Sequence, residues 1–82
     1  MNFEGCKVRR HPAGHQAVIR ALSQARMESG LSQRQLSEKL IEPVNFIHRI
    51  ESGERDIGVT EFITIAKAIG IDPIELLRRI LR

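Results

Sequence analysis

The sequence predicts an all-α fold, a single compact domain of five short helices. Two observations carry this expectation. Apolar residues recur at three- and four-residue spacing rather than in alternation, and helix-starting and helix-stopping residues break the chain at short intervals. The apolar set is dominated by Leu, Ile and Ala, with Phe3, Phe46 and Phe62 the only rings, a balance that suits helices better than a β-sandwich. At 82 residues there is room for one domain and one modest core. A chain of that size buries only about 60% of its unfolded surface, so association with a second copy would add useful stability.

Residues 1–13 lack sustained periodicity and carry Gly5, Pro12 and clustered charge; they read as a basic arm ahead of a domain spanning 14–82. A first helix is expected from about 14 to 29, with Val18, Leu22 and Ala25 on its inner face and Gly30 closing it. Ser32 starts the second helix. The run Ser32-Gln33-Arg34-Gln35 has the form of a capping box, in which the hydroxyl accepts from the third amide and Gln35 reaches back. This helix runs to about Leu40, with Leu36 and Leu40 inward. Pro43 drives Glu42 out of the helical region and suits the start of a third helix, roughly 43–51, with Ile47 and Ile50 inward. A loop over 52–58 follows Ser52-Gly53-Glu54. The fourth helix, about 60–69, has Thr60 as its expected cap and Phe62, Ile65, Ala66 and Ile69 as its core face. Gly70 ends it. Asp72-Pro73-Ile74-Glu75 then supplies a cap, a first-turn proline and an acid for the fifth helix, which carries Ile74, Leu77, Ile80 and Leu81.

Thirteen Lys and Arg face ten Asp and Glu, a formal +3 that permits a polyanionic partner without demanding one. The distribution is more telling. Lys7, Arg9, Arg10, Arg20 and Arg26 precede residue 27 against the single acid Glu4. Cys6 is the only cysteine, which excludes an intrachain disulfide and fits a reducing cytoplasm. No stretch approaches the ~18 apolar residues of a membrane span, and no secretory leader opens the chain, so a cytoplasmic, nucleoid-associated protein is expected.

Two helices of about eight residues joined by a three- or four-residue break form a helix-turn-helix when they cross steeply, although many helical bundles contain such pairs. Here the motif has company. Arg26, Gly30-Leu31-Ser32-Gln33, Leu36, Leu40, Phe46-Ile47, Ile50-Glu51-Ser52-Gly53-Glu54-Arg55 and the later run Glu61-Phe62, Ile65 to Pro73 together resemble the Cro/repressor-type, or xenobiotic-response-element, helix-turn-helix family over roughly residues 18–77. The resemblance implies a five-helix, phage-repressor-like domain whose third helix reads double-stranded DNA in the major groove.

It also implies roles for individual residues. Gln33 stands where the family meets a phosphate at the start of helix two, with Arg34 beside it. With Ile47 and Ile50 inward, Val44, Asn45, His48 and Arg49 form the outward face of the third helix, and Val44 and Asn45 match the base-contacting positions. Asn45 suits adenine N6 and N7, Val44 a thymine methyl, and Arg49 a guanine or a phosphate; His48 is either a simple exposed histidine or a further base contact. Ser52 and Arg55 resemble a second backbone-contacting segment, and Arg55 suits a narrow minor groove. Arg26 and Glu51 match a structural salt bridge between the first helix and the end of the third. There are two departures. Ile41 replaces the usual turn glycine, and because a β-branched residue resists positive φ the turn is expected to take another route. Val44 replaces a usually polar side chain.

Other chemistry finds little support. Cys6, His11 and His15 fall short of the four ligands of a structural zinc site and match no zinc spacing, so no metal or cofactor is expected. No nucleophile–base arrangement or phosphate-cradling glycine loop can be assembled, which argues against an enzyme. The expected function is a sequence-specific transcriptional regulator, repressing or both repressing and activating. It would act as a homodimer through Leu77, Ile80 and Leu81, with recognition helices about 34 Å apart on a pseudo-palindromic operator. The arm would follow the DNA backbone or enter a groove. The competing expectation is an antitoxin-like autoregulator or an interaction adaptor that neutralises a protein partner.

Overall fold

A computed structural model describes residues 12–81, with side chains from residue 14 onward. Cys6, His11 and most of the expected arm lie outside the described residues. Five helices follow in order: α1 (Pro12–Glu28), α2 (Gln33–Lys39), α3 (Phe46–Glu51), α4 (Val59–Ile69) and α5 (Pro73–Leu81). There is no strand among the described residues, and no helix there is long and apolar enough to cross a membrane.

α1 begins at Pro12, inside the segment assigned to the arm, because proline is well tolerated in a first helical turn. Its end is as expected: Gly30 takes φ 79°, and the amides of Gly30 and Leu31 return to the carbonyls of Met27 and Arg26. The Ser32 capping box is complete, with Gln35 N–H donating to the Ser32 hydroxyl and Ser32 N–H to Gln35 Oε1, both at 2.9 Å.

The turn after α2 departs from expectation. Ile41 does adopt positive φ, 57°, the only described non-glycine residue to do so. The reason lies in the hydrogen bonds that this conformation permits. Ile41 N–H reaches Glu38 O and Glu42 N–H reaches Ser37 O, both at 3.0 Å, which is the paired closure of a Schellman motif. Two satisfied carbonyls outweigh the steric cost of a β-branched residue there. Ile41 is 93% exposed and so gains nothing from packing. Ile41→Gly will therefore stabilise the domain by about 0.5–1 kcal/mol, the relief of strain less the added freedom of the unfolded chain. A rise in the urea midpoint at constant slope measures it.

α3 is shorter than expected. Pro43, Val44 and Asn45 form a turn ahead of it, with Phe46 N–H bonded to Pro43 O at 2.9 Å. α4 is capped by Gly58 and not by Thr60: Glu61 sits three residues on and accepts from Gly58 N–H at 3.1 Å. The α5 start is as the sequence implies, with Asp72 Oδ1 accepting from Ile74 N–H at 2.9 Å.

The core gathers Leu22 and Ala25 from α1, Leu36 from α2, Phe46, Ile47 and Ile50 from α3, Ile65, Ala66 and Ile69 from α4, and Leu76 from α5. The register of α5 differs from expectation. Leu76 is fully buried, Ile80 is half-buried, and Ile74, Leu77 and Leu81 are exposed. The inward stripe is 73, 76 and 80, set by where α1 and α4 meet the helix, and Arg79 extends the same seam by pairing with Glu28 of α1 at 3.0 Å.

Candidate nucleic-acid interface

The crossing of α2 and α3 is held by a residue the sequence does not single out. Ser37 is fully buried; its hydroxyl donates to Gln33 O at 2.9 Å and accepts from Ile47 N–H at 3.1 Å. Ile47 sits in the first turn of α3, where amides lack partners within their own helix. Ser37 thus caps α3 from the neighbouring helix. Asn45, at the cap position itself, makes no side-chain cap bond. Its exposed carboxamide keeps both its donors and its acceptor available.

Val44, Asn45, His48 and Arg49 are all exposed beside one another, the first two on the turn and the second two on α3. Arg49 Nε lies 3.2 Å from Glu54 Oε2, an exposed pair that water and salt screen easily. Arg34 is likewise exposed, with Glu38 one helical turn away at 3.8 Å. The Ser52 hydroxyl donates to Arg49 O at 3.1 Å.

Behind this surface lies a hydrogen-bond network centred on Glu51. Arg26 Nε donates to Glu51 Oε2 at 2.7 Å and Nη2 to Oε1 at 3.1 Å, while Nη1 holds Leu31 O at 2.8 Å. Ser23 Oγ and Gln33 Nε2 also donate to Glu51 Oε1, at 3.2 and 2.8 Å. The carboxylate therefore joins α1, the start of α2 and the end of α3. Gln33, expected at a phosphate, is tied into this network through its amide nitrogen. On its other side Gln33 Oε1 lies 3.3 Å from His48 Nδ1. Arg20, Ser23, Gln33, His48, Glu51 and Ser52 line one shallow hollow beside α3. Nothing in the sequence singles out Arg20 for this hollow; it is one basic residue among several until the fold sets it there.

Arg55 is placed differently from the exposed residues of α3 and the turn before it. Its guanidinium makes two bonds to the Glu61 carboxylate, at 3.0 and 2.7 Å, a third to Asp56 O at 3.1 Å, and lies 4.8 Å from the centre of the Phe46 ring. The hydrogen bond to Glu61 raises the Arg55 pKa, and the Arg55 bond, followed by the Gly58 amide, lowers that of Glu61. The pair fastens the loop after α3 to the start of α4. Its contribution is complete above the ordinary carboxylate range and is lost as pH falls through the lowered Glu61 value.

Comparison with known proteins agrees with this architecture. Residues 22–76 match a family described as helix-turn-helix. A comparison with curated proteins finds no match. Among solved structures, the chain is similar to an XRE-family like protein from Pseudomonas syringae pv. tomato str. DC3000, at 35% identity and TM-score 0.82, with 87% of each chain covered. The family match spans the two crossed helices and the core around them, and the chain belongs to the XRE-type helix-turn-helix family.

Proposed function

We propose that this protein is a sequence-specific regulator of transcription that binds double-stranded DNA by laying α3 in the major groove. The observation that carries the reading is the unbonded carboxamide of Asn45, exposed beside Val44, His48 and Arg49 at the leading end of α3. That is the side-chain chemistry for a bidentate contact with adenine, next to an apolar surface for a thymine methyl and a cation for guanine. Gln33, Arg34 and Ser52 border this row, where phosphate contacts would fix its register; Arg55 would act there through the loop it fastens. The exposed Leu77 and Leu81, with Ile80 beside them, supply a self-complementary surface for a homodimer on a pseudo-palindromic operator. Bound at a promoter, the protein would repress by occluding polymerase or activate by assisting it, and it would act in the cytoplasm, on the nucleoid.

The test is a titration of fluorescent duplex from the protein's own upstream region, beside a scrambled duplex, at several salt concentrations. Specific binding that weakens steeply with salt is expected. Asn45→Ala and Arg49→Ala will each cost about 1–3 kcal/mol of specific binding without changing the fold. Equal, weak binding to both duplexes overturns the reading and favours a protein partner.

A further inference from the structure

The Glu51 network does more than brace the fold, because it ends on a residue of the reading surface. Both Glu51 oxygens accept from the Arg26 guanidinium, and a carboxylate paired in this way only accepts hydrogen bonds. The Gln33 amide must therefore turn its nitrogen toward Glu51, as it does at 2.8 Å; the flipped amide would set two oxygens against each other. With the nitrogen so placed, Gln33 Oε1 faces His48 Nδ1 at 3.3 Å. A bare lone pair on Nδ1 would be set against that of the amide oxygen, so the contact favours the tautomer with the hydrogen on Nδ1. A neutral imidazole has only one, and Nε2 is left with a bare lone pair.

We infer that His48 is a specificity-determining residue whose tautomer is preset by Gln33 and Glu51, so that its Nε2 accepts from an exocyclic amine in the major groove and selects adenine or cytosine over guanine or thymine. The chemistry follows from the groove edges. Adenine N6 and cytosine N4 donate there, whereas guanine offers only O6 and N7, and thymine O4, all acceptors. A lone pair on Nε2 is matched by the first two bases and repelled by the others. Gln33 is then a positioning residue acting through His48. The inference rests on α3 lying in the major groove.

Two measurements in mildly alkaline buffer test it, both on the full chain. Long-range proton–nitrogen NMR of the His48 ring is expected to show the Nδ1–H form in the wild type. Gln33→Met, which keeps volume but cannot accept the bond, will move the ring toward the Nε2–H form, while the dispersion of the amide spectrum in the same sample reports folding. In the second measurement, each operator base pair is replaced in turn for wild type, His48→Ala and Asn45→Ala. One position is expected at which wild type prefers adenine or cytosine by about 5-fold or more, a preference that His48→Ala removes. Gln33→Met will reduce it as well. If Nε2–H dominates in the wild type, or guanine or thymine is preferred, the inference is overturned. Specific binding that needs Asn45, with no base pair depending on His48, overturns it while leaving the major-groove reading intact. Absence of any specific binding overturns both.

Discussion

Glu51→Ala will destabilise the domain by about 3–5 kcal/mol, because it leaves the Arg26 guanidinium nearly buried with no counter-charge. The two side chains are only 11% and 10% exposed, so water can do little to replace the lost partner. The loss is heavy against the whole. A chain of this length holds about 4–12 kcal/mol in total, and the variant will be partly unfolded at moderate temperature. Four hydrogen bonds to the carboxylate, from Ser23, Gln33 and twice from Arg26, disappear together. Urea denaturation reads the effect directly. The double variant Arg26→Met with Glu51→Leu is the informative companion, since an apolar pair of similar volume removes the desolvation penalty along with the attraction. It should recover most of the stability. A cost below about 1 kcal/mol for Glu51→Ala would mean that the pair behaves as a screened surface bridge.

The second large effect comes from neighbours in sequence that have opposite fates. Leu76→Ala will cost about 2–5 kcal/mol, the loss of a fully buried side chain plus the cavity it leaves among α1, α4 and α5. Leu77→Ala and Leu81→Ala, at 43% and 74% exposure, will barely move the unfolding midpoint of the monomer. Their effect will instead be on the proposed homodimer: sedimentation equilibrium is expected to show weaker association for both, and binding to the proposed operator to weaken in parallel. If Leu76→Ala proves mild and Leu77→Ala severe, the register of α5 is wrong by one residue.

That register marks where sequence reasoning stopped. Leu76 and Leu77 are both apolar, and rotating a helix by one position exchanges one for the other, so periodicity alone cannot choose between them. The choice comes from α1 and α4, which only the fold brings together. Local signals fared better. The Ser32 capping box and the Asp72-Pro73 start are written in adjacent residues and needed no tertiary information. The same local reasoning misjudged Ile41, because the steric rule for β-branched residues says nothing of the two backbone bonds that reward the strained conformation. It also chose Thr60 over Gly58 as the cap of α4, although Glu61 three residues after Gly58 was the available signal. At the site, the outward residues were legible from the inward ones, Ile47 and Ile50. What was hidden was connectivity: Ser37 is an ordinary serine until α3 is packed beside it, and Gln33 shows no sign in sequence of joining Glu51 to His48.

Ser37 has a consequence for how such a protein can change its target. In most helices the residue that starts the helix must also cap it, and replacing a capping side chain costs about 1 kcal/mol. Here the cap of α3 comes from α2, so position 45 carries no structural duty. Position 44 is solvent-exposed on the same turn. The two leading positions of the proposed reading surface can therefore be rewritten as an address, without repair elsewhere in the domain. Ser37 is the fixed point that makes the exchange cheap, and libraries randomised at 44 and 45 should retain folded members at nearly every combination that excludes proline.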